Sequence, residues 1–377
     1  MTEADEQRDD KLQWIQALRG IAVLLVVLTH ARYLLLDTDQ YALADRLFLP
    51  GAMGVDLFFL ISGFIMVYTT PGATGLHAAA TFGVKRFARI WPAYAVITLA
   101  YVLLVHGADY FSDPAHIGVF VRSLLFLPVD PLDPPFFGFA FPLGWTLAFE
   151  MYFYLVFGLC MLAGRLRWVA FWAWMLLTLV LVPLASGGPT LDVRQHLDLP
   201  GAALQLVTNP IVYEFLAGVA IGHLYLQRWF RVRSTRVAWQ LAVCGIGFAA
   251  WYGFGRIGTF HGPAAWGWPL ALMVLALALA SKTVVLSPPS ALVWAGTVSY
   301  SMYLTHYLGQ TVLARLLAWF GIDTHTWAQV FITVLFALPV AALAHWLLEI
   351  RLGRAVRRAL LDRLRRRLPA EAEASSS

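Results

Sequence analysis

The sequence predicts an all-α, polytopic transmembrane helical bundle of about ten spans, with both termini cytoplasmic. Three observations carry this. Of 377 residues, 60% are hydrophobic and only 13% are charged, where a soluble domain carries about 25% charged residues. Apolar stretches close to the roughly 20 residues needed to cross a bilayer recur along the chain. Basic residues gather in alternate short connections, which marks the cytoplasmic side.

The first eleven residues, MTEADEQRDDK, are a polar cytoplasmic N-terminus (1–11). Their charge is wrong for a signal n-region, so the apolar run that follows is expected to stay as a span. Candidate spans fall near 12–36, 51–70, 90–106, 144–163, 168–186, 206–226, 237–253, 265–281, 291–319 and 327–349. The connection before the third candidate ends in VKRFAR, that at 164–167 is GRLR, and that at 227–236 is QRWFRVRSTR. By contrast, 37–50 holds three Asp and one Arg, and 129–144 is VDPLDPPFFGFAFPLG. Ten spans with both ends inside put every basic connection inside. A further run at 116–128 is short and interrupted by Arg122. Counting it as a span would move Arg165 and Arg167 outside, so 107–143 is read as one extracytoplasmic segment with a short interfacial helix.

Residues 12–350 are then the transmembrane domain, and 351–377 a basic cytoplasmic tail. RLGRAVRRALLDRLRRRLP holds most of the net charge of +5 and is expected to lie against anionic headgroups. Cys160 and Cys244 are the two cysteines, each in an apolar run. No disulfide framework and no metal site are expected.

Ionisable side chains inside spans are costly and mark function. Those in this chain are Arg19, His30, Asp56, Glu150, Glu214, His223, His306, His345 and Glu349. His223, His345 and Glu349 lie near expected cytoplasmic span ends, where they reach water. Asp56 lies near the outer surface or pairs with an internal base. Arg19 and His30 are eleven residues apart, so they project from one helix face about 16 Å apart along the axis. Lipid cannot hold that face, so it looks into the protein. Arg86 and Arg89, spaced i, i+3, share a face too. They read either as a topogenic cluster or as a phosphate clamp. Glu150, in the first turns of a span entering from outside, is expected at the depth of His30, where a carboxylate can orient an imidazole for proton transfer. Ser299, Ser301, Thr305 and His306 lie mid-span and must pair between helices or line a cavity.

In this order the chain carries LQWIQALRGIAVLLVVLTHARY, GAMGVDLFFLISGFIM, FGVKRFARIWPAY, PLGWTLAFEMYFY, NPIVYEFLAGVAIG and VSYSMYLTHY. Together these closely resemble the membrane-bound acyltransferase-3 family, in the branch of bacterial exopolysaccharide O-acetyltransferases, over residues 12–350. The resemblance implies a ten-helix enzyme that O-acylates carbohydrate hydroxyls from acyl-CoA, a co-substrate rather than a tightly bound cofactor. Its motifs match Arg19 and His30, Arg86 and Arg89, Trp145 and Glu150, Glu214 and Phe215, and Ser299 to His306 with Tyr303 among them. His30 and Glu150 are thus expected to be catalytic and Arg19, Arg86 and Arg89 to bind acyl-CoA. Asp56, Trp145, Glu214, Ser299, Tyr303 and His306 are expected to line or support the cavity.

The expected function is transfer of an acyl group, acetyl by resemblance, from cytoplasmic acyl-CoA to an envelope carbohydrate or glycolipid at the bacterial inner membrane. The alternative is a transporter or flippase of a lipid-linked sugar. That class favours inverted repeats and matching broken helices, which the sequence does not display. Nucleic acid is not an expected partner.

Overall fold

The computed structural model describes residues 12–367. The acidic N-terminal stretch 1–11 and the end of the tail, 368–377, lie outside the described residues. Among the described residues every regular element is helical. In lipid this lets each backbone N–H and C=O pair within its own segment. Among the described residues, nine helices are long and apolar enough to cross a membrane: Gln13–Leu35, Tyr41–Thr69, Gly75–Val105, Gly144–Met161, Gly164–Ala185, Ala202–Leu226, Thr235–Phe254, Pro263–Ser281 and Trp327–Arg367. The protein is a polytopic helical bundle.

Three elements differ from their outlines in the sequence. Gly75–Val105 is one helix of 31 residues that runs through Pro92. Lys85, Arg86 and Arg89 therefore ride on a helix and not in a loop. Pro92 has no N–H to give the carbonyl four residues back, and its ring crowds that oxygen. The residue concerned is Ala88.

The expected span 291–319 divides into helices Ser290–Thr297 and Ser299–Trp319, and neither is among the nine apolar helices. Ser299, Ser301, Thr305, His306 and Gln310 make the second too polar, and all five are buried.

The last helix does not end at 350. It continues through a π-helical stretch, His345–Gly353, into Arg354–Arg367. Within 107–143 the regular α-helix is Pro114–Leu124, 11 residues capped by the Asp113 side chain, which accepts from Ala115 N. At about 1.5 Å per residue it is much shorter than a bilayer core.

The chain folds as two compact units. One takes in the described residues up to Thr70, Leu191–Val193 and Pro210–Leu343. Its core includes Trp14, Leu60, Phe64, Trp266 and Met273. Two helix pairs here touch backbone to backbone. A Cβ on Gly296 would collide with the carbonyl of Gln16, and one on Gly20 with that of Leu292. Gly63 and Gly218 do the same between helices Gly54–Thr69 and Val212–Leu226, against the carbonyls of Phe215 and Leu60. Small residues at such crossings are how membrane helices gain contact without a hydrophobic drive.

The other unit comprises Pro71–Thr190, Arg194–Asn209 and the described residues from Ala344 onward. Helix Gly75–Val105 packs there against Gly144–Met161 and against the C-terminal helix. Phe82, Phe149, Phe153, Phe157 and Phe171 are buried in this unit.

Candidate active site

In the first unit, the face shared by Arg19 and His30 meets helix Ser299–Trp319. Arg19 Nη2 donates to Ser299 Oγ at 3.0 Å. The glycine contact of Gly20 and Gly296 lies one residue from Arg19 and three from Ser299, and it draws these two stretches of chain together. Eleven residues further along, His30 meets His306, with His30 Nδ1 and His306 Nε2 3.3 Å apart. The two contacts occur in the same order on both helices, so the helices run parallel. Gln310 Nε2 adds a bond to Val27 O at 3.1 Å.

The backbone fixes the tautomers of this pair. His306 Nδ1 lies 2.8 Å from Tyr303 O and 3.1 Å from Met302 O. Carbonyls only accept, so His306 Nδ1 carries its proton and Nε2 of the neutral ring is an acceptor. His30 Nδ1 lies 2.9 Å from Val26 O, so it too carries a proton, shared between that carbonyl and His306 Nε2. The basic nitrogen of neutral His30 is therefore Nε2. Tyr307 stands edge-on to the His30 ring, centroids 5.6 Å apart. Tyr303 is buried beside His306 and Phe58, at 6.0 and 6.3 Å between centroids.

Asp56 occupies the first turn of helix Gly54–Thr69 and is fully buried. It pairs with an internal base: its Oδ2 lies 2.7 Å from His261 Nδ1, and its Oδ1 accepts from Gly262 N at 2.8 Å. His261 stands in the connection between helices Thr235–Phe254 and Pro263–Ser281, near enough to His30 for the two rings to interact electrostatically. That connection is held at two further points. Trp266 Nε1 donates to Gly258 O at 2.7 Å, and Arg256 Nη2 lies 3.6 Å from Asp45 Oδ2. Asp45 also pairs with Arg32, at 3.2 Å.

Glu214 is buried beside Asp56. Its polar neighbours are Asp56 and the Gly262 backbone, though no donor among the described residues stands in full hydrogen-bond geometry to its oxygens. Gly267 packs so closely on it that a Cβ there would come within 2.6 Å of Oε1.

The second unit holds the arginine pair. Arg86 Nη1 lies 3.4 Å from the Tyr154 hydroxyl, and its guanidinium sits 4.8 Å from the Tyr154 ring centre and 5.4 Å from that of Phe82. The Tyr154 hydroxyl donates to Glu150 Oε1. Arg89, exposed one turn along, is near enough to act on Tyr154 electrostatically. Arg86, Tyr154 and Glu150 thus form a chain. The ring bonded to His30 is His306, and Glu150 receives the Tyr154 hydroxyl. Trp145 is buried edge-on to Phe136 and Phe149, at 5.3 and 6.2 Å. His345 and Glu349 form an i, i+4 pair at 2.9 Å on the last helix.

His261 and Tyr154 escaped the sequence reading. His261 lies outside every span, so no rule about intramembrane charge reaches it. Tyr154 is visible only as the i+4 neighbour of Glu150. Among the described residues no group of three or more His, Cys, Asp or Glu side chains could hold a metal ion.

A family model described as "Acyltransferase domain" matches residues 12–346. "Exopolysaccharide production protein ExoZ" of Rhizobium meliloti (strain 1021) is 32% identical over 322 residues, covering 82% of this chain and 93% of that protein. "Nodulation protein 10" of Rhizobium leguminosarum bv. viciae is 28% identical over 325 residues, covering 81% of this chain and 82% of that protein. No solved structure matches the chain significantly.

Proposed function

The chain belongs to the acyltransferase-3 family, and from that premise we propose that this multi-pass membrane acyltransferase moves an acetyl group from cytoplasmic acetyl-CoA to a hydroxyl of an envelope carbohydrate. The inner membrane is the compartment where that donor and such an acceptor meet. The name of the Rhizobium meliloti relative ties that protein to exopolysaccharide production, which supports a carbohydrate acceptor.

The observation that carries the mechanism is the His30–His306 pair, 3.3 Å apart, which leaves Nε2 of His30 as the basic nitrogen. The acceptor oxygen attacks the thioester carbonyl while Nε2 takes the hydroxyl proton. The new O–C bond forms, the C–S bond breaks, and Nε2 returns the proton to the departing thiolate sulfur. His306 holds the ring in the working tautomer and shares the positive charge that builds on it.

Arg86 and Arg89 bind donor phosphates, which suit guanidinium forks. The Tyr154–Glu150 chain keeps the Arg86 fork in position. The test is purified protein with radiolabelled acetyl-CoA and an envelope extract as acceptor, paired with mass spectrometry of envelope glycans from a deletion strain. CoA release with label appearing in glycan is expected. Unchanged glycan acetylation in the deletion strain would overturn the reading.

A further inference from the structure

The C-terminal helix, Arg354–Arg367, was expected to rest on lipid. Its buried and half-buried positions, with Gly353 just before it, are Gly353, Val356, Leu360, Leu361 and Leu364. They form one stripe. The helix packs on Gly75–Val105. At the junction Gly353 sits against Ala88, where a Cβ would come within 3.1 Å of the carbonyl oxygen. This is the oxygen that Pro92 deprives of its helical donor. A helix that spends its apolar stripe on protein has no apolar face left to sink into a bilayer.

What the packing does instead is gather cations. In the ten-span reading the third and tenth helices cross in opposite directions, so Arg354–Arg367 runs antiparallel to Gly75–Val105. In an antiparallel pair, residues turned the same way from the contact lie on the same side. At 100° per residue, Lys85 and Arg89 are turned about 60° and 100° from Ala88. Arg354, Arg357 and Arg358 are turned about 100°, 40° and 140° from Gly353. All five are on one side and all five are exposed. None has an ion-pair partner among the described residues. Such a concentration of one sign repels itself and attracts a polyanion, and guanidinium forks match phosphate oxygens.

We propose that Lys85, Arg89, Arg354, Arg357 and Arg358 form one phosphate-binding bank, built across two packed helices, that takes the phosphorylated nucleotide end of the acyl donor. This rests on the acetyl-CoA reading above and extends it to the tail. Lipid headgroups offer the same phosphate chemistry, and the experiment separates the two sources.

Full-length protein in neutral detergent is titrated with acetyl-CoA and with acetyl-pantetheine, which lacks the nucleotide. Retained phosphatidylglycerol is counted by native mass spectrometry. The wild type is compared with R354Q/R357Q/R358Q and with R363Q/R366Q/R367Q, which removes three charges from the other side of the same helix. The first triple variant should lose acetyl-CoA affinity by about tenfold for each phosphate contact removed. Its acetyl-pantetheine affinity should stay unchanged, and the second triple variant should bind both as the wild type does. Equal loss in the two variants, or none in the first, overturns the bank and leaves the donor reading standing. Loss of retained phosphatidylglycerol with acetyl-CoA affinity intact assigns the cations to headgroups and also overturns it. A wild type that binds no acetyl-CoA brings down the donor reading, and the bank with it.

Discussion

His30 and His306 hold their facing nitrogens 3.3 Å apart across 276 residues of sequence, and each ring is anchored by a carbonyl of its own helix. If His30 is the base, His30→Ala abolishes turnover in protein that still accumulates in the membrane. His306→Ala, which removes the partner of Nδ1, lowers kcat by about 10²–10⁴-fold, the range of a positioned acid–base group. His306→Gln retains more activity, because its amide oxygen can accept from His30 Nδ1. Near-normal turnover in His30→Ala would sink the assignment.

The pH dependence has a definite sign. Nε2 must be unprotonated to accept the hydroxyl proton, so kcat/KM falls as acid protonates the ring and recovers as the proton is removed. A profile that climbs toward acid would mean that the imidazole works as an acid in the limiting step.

Donor affinity reads the arginine helix. Arg86→Ala and Arg89→Ala each remove charge-assisted bonds worth about 1.5–3 kcal/mol, so acetyl-CoA binding weakens at least tenfold in calorimetric titration. The corresponding Lys variants recover part of this, since the planar fork is gone. Tyr154→Phe keeps the ring beneath Arg86 and loses only the hydroxyl link to Glu150, so it costs less than Arg86→Ala. Unaltered affinity in both Ala variants would remove the clamp.

Packing is tested by two glycines. Gly296→Ala drives a methyl into the Gln16 carbonyl and should cost about 1–3 kcal/mol, as overpacking does, seen as a lower Tm of the purified protein. Gly309→Ala, on the neighbouring helix with nothing within 4 Å, should leave Tm unchanged or raise it. The reverse order would mean that the helix contact at Gly296 is not tight.

Topology is tested by reporter fusions at residues 130 and 166. They should report opposite sides of the membrane, with 166 cytoplasmic. Agreement between them would defeat the ten-span reading.

Much of this architecture is legible in the chain itself. Apolar length finds the spans, because backbone satisfaction in lipid leaves helices as the solution. The shared face of Arg19 and His30 follows from helix geometry alone. By apolar length the start of the third helix falls at 90 where it lies at Gly75, because the basic run before 90 reads as a connection even though the spacing of Arg86 and Arg89 already puts them on one helix face. The Asp56–His261 pair was hidden for another reason. Its members are 205 residues apart, and no periodicity links an intramembrane carboxylate to a histidine in a connection. Partner choice between distant helices is a property of packing.

Helix Ser299–Trp319 also bears on how the protein is made. It is less apolar than the nine candidate spans among the described residues, and its buried polar side chains need hosts when it arrives. Arg19, which meets Ser299 at a separation of 280 residues, and His30 leave the ribosome first and stand waiting. The placement of Ser299–Trp319 is thus templated by the first helix. An Arg19 variant would announce itself during biogenesis, as a stalled insertion cleared by proteases, before any effect on turnover could be measured.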